Sequence, residues 1–251
     1  MGKIIPIAVM IYHKQTTTST NDDARDKQYG HLDAIWAEHQ SSGRGQRGHV
    51  WLSDEGQNLT FSVVLTPEFL PISEQFLLSE IVALAIVDTL DEYGIAAQIK
   101  WTNDIYVGGN KIAGILIEHS LSGDCLTRTI AGIGLNVNQV EFSSDLPNPI
   151  SMTSVTGRSY DRRELLETIL RKLEALYNQL QNGGASAIQK RYIATMYLLD
   201  TKSVYALPNG EQFEATIRGV LPTGHLRLEH GDGVVRDYAF KEVEFVLPHK
   251  R

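Results

Sequence analysis

The sequence predicts an α+β fold: a mixed β-sheet with helices packed mainly on one face, followed by a small β-barrel at the C-terminus. Three observations carry this expectation. Strand-like and helix-like periods alternate through residues 1 to about 180. Two long apolar-periodic segments stand among those strands, the composition of a layered mixed sheet. After about residue 200 the pattern changes to short strands divided by Asn209-Gly210, Thr223-Gly224 and Asp232-Gly233. One change of pattern divides the chain into residues 1–197 and 198–251.

Each element has its own signal. "KIIPIAVMIY" reads as a buried first strand, Ile4 to Tyr12. It lacks the cleavage site and longer apolar core of a signal peptide, and no apolar run reaches membrane-spanning length. "LDAIWAEHQ" and "NLTFSVVLTP" read as strands, and "ISEQFLLSEIVALAIVDTLDEYG" as a buried helix ended by Gly94. "AAQIKWT", "DIYVGGNKIAGILIEHS" and "TRTIAGIGLNVN" supply further strands, with a hairpin turn at Gly108-Gly109-Asn110. Leu165, Ile169, Leu173, Leu176 and Leu180 recur at helical spacing, with Asp161 as N-cap. "ASAIQKRYIATM" adds a short helix.

Composition excludes several functions. A net charge of −7 argues against non-specific nucleic-acid binding, which needs clustered, uncompensated Lys and Arg. The single cysteine, Cys125, excludes an intramolecular disulfide and favours a reducing compartment, the cytoplasm. It also cannot build a typical zinc cluster, and no two histidines have metalloprotease spacing. There is neither a complete dinucleotide-binding fingerprint nor a P-loop.

Against that acidic background, "SSGRGQRGHVW" (41–51) has three glycines, two arginines and no acidic residue. Glycine lets backbone N–H groups approach a ligand closely, and guanidinium groups make forked, charge-assisted bonds to phosphate or carboxylate. Taken alone, the same composition also suits a solvated turn. A second segment, "KWTNDIYVGGNKIAGILIE", sets Lys100 and Lys111 in apolar strands beside Asn103 and Asp104, a set that suits a nucleotide. In a third, "AGIGLNVN", Gly132, Gly134 and Asn136 end a strand, and there the glycines also fit simple packing relief.

Taken in order, "STN" (19–21), "EHQSSGRGQRGHVW" (38–51), the Lys100–Glu118 segment and "GIGLNVN" (132–138) resemble the biotin–protein ligases over nearly the whole chain. The resemblance implies a class II synthetase-like catalytic domain with an SH3-like barrel, in a short form without an N-terminal DNA-binding domain. It implies ATP and Mg²⁺ as cofactors and biotin as substrate. Biotin is activated to biotinyl-5′-AMP, then passed to a lysine of a biotin carboxyl carrier protein. No DNA or membrane partner is expected, and a monomer and a homodimer both remain open.

The resemblance also implies residue roles. Lys111, Arg44 and Asp104 are the catalytic set, Asp104 orienting the incoming lysine. Ser19, Thr20, Asn21 and Gln40 meet the ureido ring; Gly43, Arg44, Gly45, Gln46, Lys111, Gly114 and Leu116 complete the biotin site. Arg44, Arg47, Trp51, Asn103, Lys111 and Asn136 serve ATP and the adenylate. Local alternatives stand beside these: Ser19 or Thr20 as the cap of a helix starting near Asp22, and Trp51 as a core aromatic. Two positions depart from the family pattern: Gln46 replaces an arginine, and Thr102 replaces a proline. Lipoate ligases carry a glycine-rich R-R-x-x-G-G-G signature that is absent here. A catalytically silent binding module is the other alternative.

Overall fold

A computed structural model describes residues 9–246 apart from His49, and the Arg47 side chain lies outside the description. The first sheet has seven strands: β1 (Ile11–Thr17), β2 (Ala34–Gln40), β3 (Leu59–Leu65), β4 (Gln98–Lys100), β5 (Asp104–Val107), β6 (Asn110–Ser122) and β7 (Cys125–Leu135). Their spatial order is β1-β2-β3-β7-β6-β5-β4, with β1 and β2 parallel and the other neighbours antiparallel.

Helix α1 (Thr20–Asp23) lies on one face of this sheet. The opposite face carries α2 (Phe76–Glu92), α4 (Arg162–Gln181) and α5 (Ala185–Ala194); the short α3 (Met152–Thr156) precedes α4. Strand alternation explains the division. Leu59, Phe61, Val63 and Leu65 of β3 join the core under the large helices, whereas Ser62 bonds to α1 and Val64 packs against Ala24 and Tyr29.

Helix α2 is apolar nearly all round because the sheet covers one side and α4 and α5 cover the other. A 3-10 turn (Ile72–Glu74) leads into it, and Gly94, at φ +76°, ends it. Helix α4 starts where the sequence predicts: the Asp161 carboxylate accepts from the Arg163 and Glu164 amides at 2.8 and 3.0 Å.

The second sheet comprises β8 (Lys202–Ala206), β9 (Gln212–Val220), β10 (Leu226–His230), β11 (Val235–Tyr238) and β12 (Glu244–Phe245), all antiparallel, in the order β11-β10-β9-β8-β12. Its Ala215, Ile217, Leu226 and Leu228 share one apolar core with the helical layer. The Trp101 indole also donates to the Gly224 carbonyl at 2.9 Å.

Two expectations need correction, and one short helix was not expected. The first described strand is Ile11–Thr17, later and more exposed than the buried Ile4–Tyr12 strand expected, whose residues 4–8 lie outside the described chain. Tyr12 and Lys14 turn toward Tyr29 and Asp23. Ser19 occupies the N-cap position of α1 but makes no side-chain capping bond, because Thr20 and Asn21 bond across to β2 and β3 instead. Helix α3, capped by Ser151, went unread because it is one turn long.

Candidate active site

The α1 face of the sheet holds a cleft of about 470 Å³, part of it open to solvent. Its floor is made of strand glycines. A Cβ on Gly132 would lie 2.1 Å from Asn21 Oδ1, and one on Gly134 would lie 2.2 Å from Trp51 Cε2. Asn21 and Trp51 therefore lie flat on β7 in space that any larger residue would fill. Gly114 extends the floor into β6, where an added Cβ would be 3.1 Å from the Trp51 ring.

At one end the groups are neutral and polar. Gln40 Oε1 accepts from the Thr20 amide at 2.8 Å and from its hydroxyl at 3.2 Å. The buried Ser62 hydroxyl lies 2.7 Å from Thr20 Oγ1 and 2.6 Å from Asn21 Oδ1, and its single proton serves one of them at a time. Ser19, Thr20 and Asn21 are all buried.

At the other end Lys111 reaches the cleft through a β-bulge. Ile105 pairs with Ala113 and Tyr106 pairs with Lys111, so Ile112 is an extra residue on β6. Ile112 is fully buried in the core, and Lys111 shares the cleft face with Gly114 and Leu116. Lys111 Nζ lies 2.7 Å from Asp104 Oδ1 and 5.7 Å from the centre of the Trp51 ring. Lys100 stands 4.0 Å from the same aspartate and lies over the Tyr106 and Phe245 rings.

The glycine/arginine loop closes the cleft. The Trp51 amide donates to the Gly43 carbonyl at 3.0 Å, and Arg44 bridges to Val50. Gly48 has φ +81°, and a Cβ on Gly43 would lie 2.7 Å from the Trp51 carbonyl oxygen. The Arg44 guanidinium meets two carboxylates, Glu118 at 3.1 and 3.2 Å and Asp22 at 2.8 Å. Burial works to raise the Glu118 pKa, but the Asn21 amide and the Arg44 and Arg25 charges outweigh it and hold the carboxyl below its ordinary range.

Of the residues expected in the site, Ser19, Thr20, Asn21, Gln40, Arg44, Gly45, Gln46, Trp51, Asn103, Lys111, Gly114 and Leu116 line this cleft. Asp104 joins through Lys111, and Gly43 through the loop closure. Asn136 does not line it. Its buried amide donates to the Ile150 carbonyl at 3.0 Å, tying β7 to the segment that pairs with Lys111. Asn103 lines the cleft, yet its amide clamps the Ile115 carbonyl at 2.7 Å. The expected contribution of the Arg47 side chain falls outside the described residues. Sequence reasoning missed Gly132 and Gly134 as the floor, although their period-two spacing places both on one strand face. It also missed Glu118.

The architecture is that of the biotin ligase catalytic fold. The biotin protein ligase of Aquifex aeolicus in complex with biotin and ATP superposes with a TM-score of 0.80 at 24% identity, covering 94% of this chain and 97% of that one. The chain belongs to the biotin/lipoate A/B protein ligase family, whose model matches residues 9–136. Among its relatives, the bifunctional ligase/repressor BirA of Bacillus subtilis is 30% identical over 236 residues, 92% of this chain and 72% of the relative. The biotin–[acetyl-CoA-carboxylase] ligase of Paracoccus denitrificans is 33% identical over 187 residues, 71% of this chain and 77% of that protein.

Proposed function

We propose that this protein activates biotin with ATP and transfers it to a lysine of a biotin carboxyl carrier protein or domain. One observation carries the reading: a neutral polar end (Thr20, Asn21, Gln40) and a cationic end (Arg44, Lys111) share one glycine-floored cleft. A polar, uncharged ureido ring suits the first, and two anions that must meet suit the second.

In the first step a biotin carboxylate oxygen attacks the α-phosphorus, the bond to the bridging oxygen breaks, and pyrophosphate leaves. Lys111 and Arg44 neutralise the repulsion between carboxylate and triphosphate and stabilise the charge on the phosphoryl oxygens. In the second step a neutral lysine amine attacks the biotinyl carbonyl and AMP leaves. Asp104, beside Lys111, holds the incoming ammonium and takes up its proton. Trp51 and the 41–51 loop cover the adenylate and exclude water that would hydrolyse it.

Among the described residues no group of three or more His, Cys, Asp or Glu stands ready for a metal ion. Bound with the nucleotide, Mg²⁺ would supply charge neutralisation at the phosphates. We assign catalysis to residues 1–197 and a supporting role to the barrel at 198–251, whose core is continuous with the helical layer. The partner is the biotin-accepting part of a carboxylase, in line with the Paracoccus relative, whose name gives acetyl-CoA carboxylase as its substrate. The acidic balance fits a protein without a DNA partner, and the lone cysteine fits the cytoplasm. No described helix is long and apolar enough to cross a membrane.

The test is ATP–pyrophosphate exchange with Mg²⁺, run with biotin and with lipoate. Exchange with biotin alone is the expected result. Exchange with lipoate alone would make the protein a lipoate ligase, and none with either would make it a binding module.

A further inference from the structure

Taking the cleft as the biotin-adenylating site, we propose that Glu118 is a positioning residue of that reaction: it fixes the Asn21 amide for biotin and holds Arg44 in reserve until an incoming anion takes its place. Glu118 is on β6, two residues beyond Leu116 and so on the cleft face. Its carboxylate receives Asn21 Nδ2 at 2.8 Å, both terminal nitrogens of Arg44 at 3.1 and 3.2 Å, and an Arg25 nitrogen at 2.9 Å. Four donors match the roughly four acceptor sites of an ionised carboxylate.

The bond to Asn21 sets which way its amide points. A carboxylate is acceptor-only, so the NH₂ end must face Glu118 and the oxygen end faces Ser62 and the Gly132 floor. With one lone pair taken by Ser62, the amide oxygen keeps a second for a donor on the ligand, one suited to a ureido N–H.

The bond to Arg44 works as a competition. Arg44 is neutralised by Glu118 and Asp22, so a phosphate or carboxylate must displace them. Displacement strands neither acid, because Arg25 stays 2.9 Å from Glu118 and 3.8 Å from Asp22. Arg25 therefore offsets one of the two negative charges that Arg44 leaves behind, and the loop gives up its contact with the acids as the ligand takes Arg44.

The test is steady-state biotin-dependent ATP–pyrophosphate exchange, varying biotin and ATP separately, for the wild type, Glu118→Gln and Glu118→Ala. Glutamine keeps an acceptor for Asn21 and drops the charge on Arg44. We expect the ATP KM to fall about threefold, the size of a part-exposed ion pair, with the biotin KM unchanged. Alanine also frees the Asn21 amide, and the biotin KM should rise about tenfold while kcat stays within about twofold, the mark of lost ground-state binding. An ATP KM that is unchanged or raised in Glu118→Gln overturns the proposal. So does an unchanged biotin KM in folded Glu118→Ala, or a fall in kcat with neither KM moved. Thermal unfolding checks both variants, and if the alanine form does not fold, the glutamine form decides alone. A wild type without biotin-dependent exchange removes the reading of the cleft and the proposal with it. Normal wild-type exchange without these shifts removes the proposal alone.

Discussion

The two faces of the seven-stranded sheet are built from the same strands and do opposite work. On the helix face, β3, β6 and β7 present Leu59, Val63, Ala113, Ala131 and Leu135, all fully buried. On the cleft face the alternating positions are Ser62, Gly114, Gly132 and Gly134. One face removes apolar area from water; the other gives that area up to make room for polar side chains and a ligand. Stability and chemistry are thereby separated by a single step along the strand, and substitutions can test how complete the separation is.

The largest expected effect is on the helix face, at Glu80. It is fully buried in α2, neither carboxyl oxygen has a hydrogen-bond partner, and burial pushes its pKa up to about 8 from an ordinary 4.5. A raised folded-state pKa means that the neutral form fits the fold. The contribution to stability is complete below about pH 4.5 and is lost as the pH rises through 8. Relative to Glu80→Gln, the wild type should lose roughly 4 kcal/mol between pH 5 and pH 8.5, read by urea unfolding at the two values. Identical pH responses would show that the carboxyl does not titrate in that range.

Next comes a pair of changes of similar size in different observables. Lys111→Ala should slow adenylation about a hundredfold, some 3 kcal/mol of barrier, and leave the melting temperature nearly unchanged. Leu135→Ala should cost about 3 kcal/mol of stability and leave exchange nearly intact at temperatures where the protein is folded. If both variants lose both properties, the faces are coupled and the separation fails.

Gly134→Ala sharpens the contrast from the residue next door. The added methyl would displace Trp51 from the floor, so exchange should fall about tenfold, with a stability change within about 1 kcal/mol. The smallest effect belongs to Gln46, which lines the cleft where the family pattern has an arginine. An amide bonds without neutralising, so Gln46→Arg should slow adenylate release about threefold. Equal release rates would show that the amide seals the cleft as well as a cation does.

Much of this was legible in the sequence, for identifiable reasons. The long helices, the Asp161 cap and the Gly108-Gly109-Asn110 hairpin follow from periodicity and turn chemistry, which are local. Arg44, Lys111 and the polar Ser19–Asn21 segment stood out because their residue types conflict with their surroundings. What escaped depends on pairing between distant segments. Glu118 reads as one more charged residue near a strand end until Asn21 and Arg25 arrive from more than ninety positions away. The glycines of β7 read as packing relief until Asn21 and Trp51 are laid across them. Glu80 did carry a signal, a lone acid within "FLLSEIVALAIV", but only the covering of α2 on both sides turns it into a buried carboxyl.

The extra residue on β6 has a meaning for how this chain tolerates change in length. A strand counts in twos, and Ile112 resets the count, so that an odd-numbered lysine faces the same way as the even-numbered glycine and leucine that follow it. Deleting Ile112 would remove the bulge, restore an unbroken rhythm and leave Lys111 on the cleft face, at the cost of one buried side chain. With Ile112 kept, losing the bulge by straightening the strand is what would turn the ammonium toward hydrocarbon and leave Asp104 without its counter-ion. The reactive geometry is therefore written partly as an irregularity of phase, which ties the facing of Lys111 to the bulge rather than to the plain alternation of the strand.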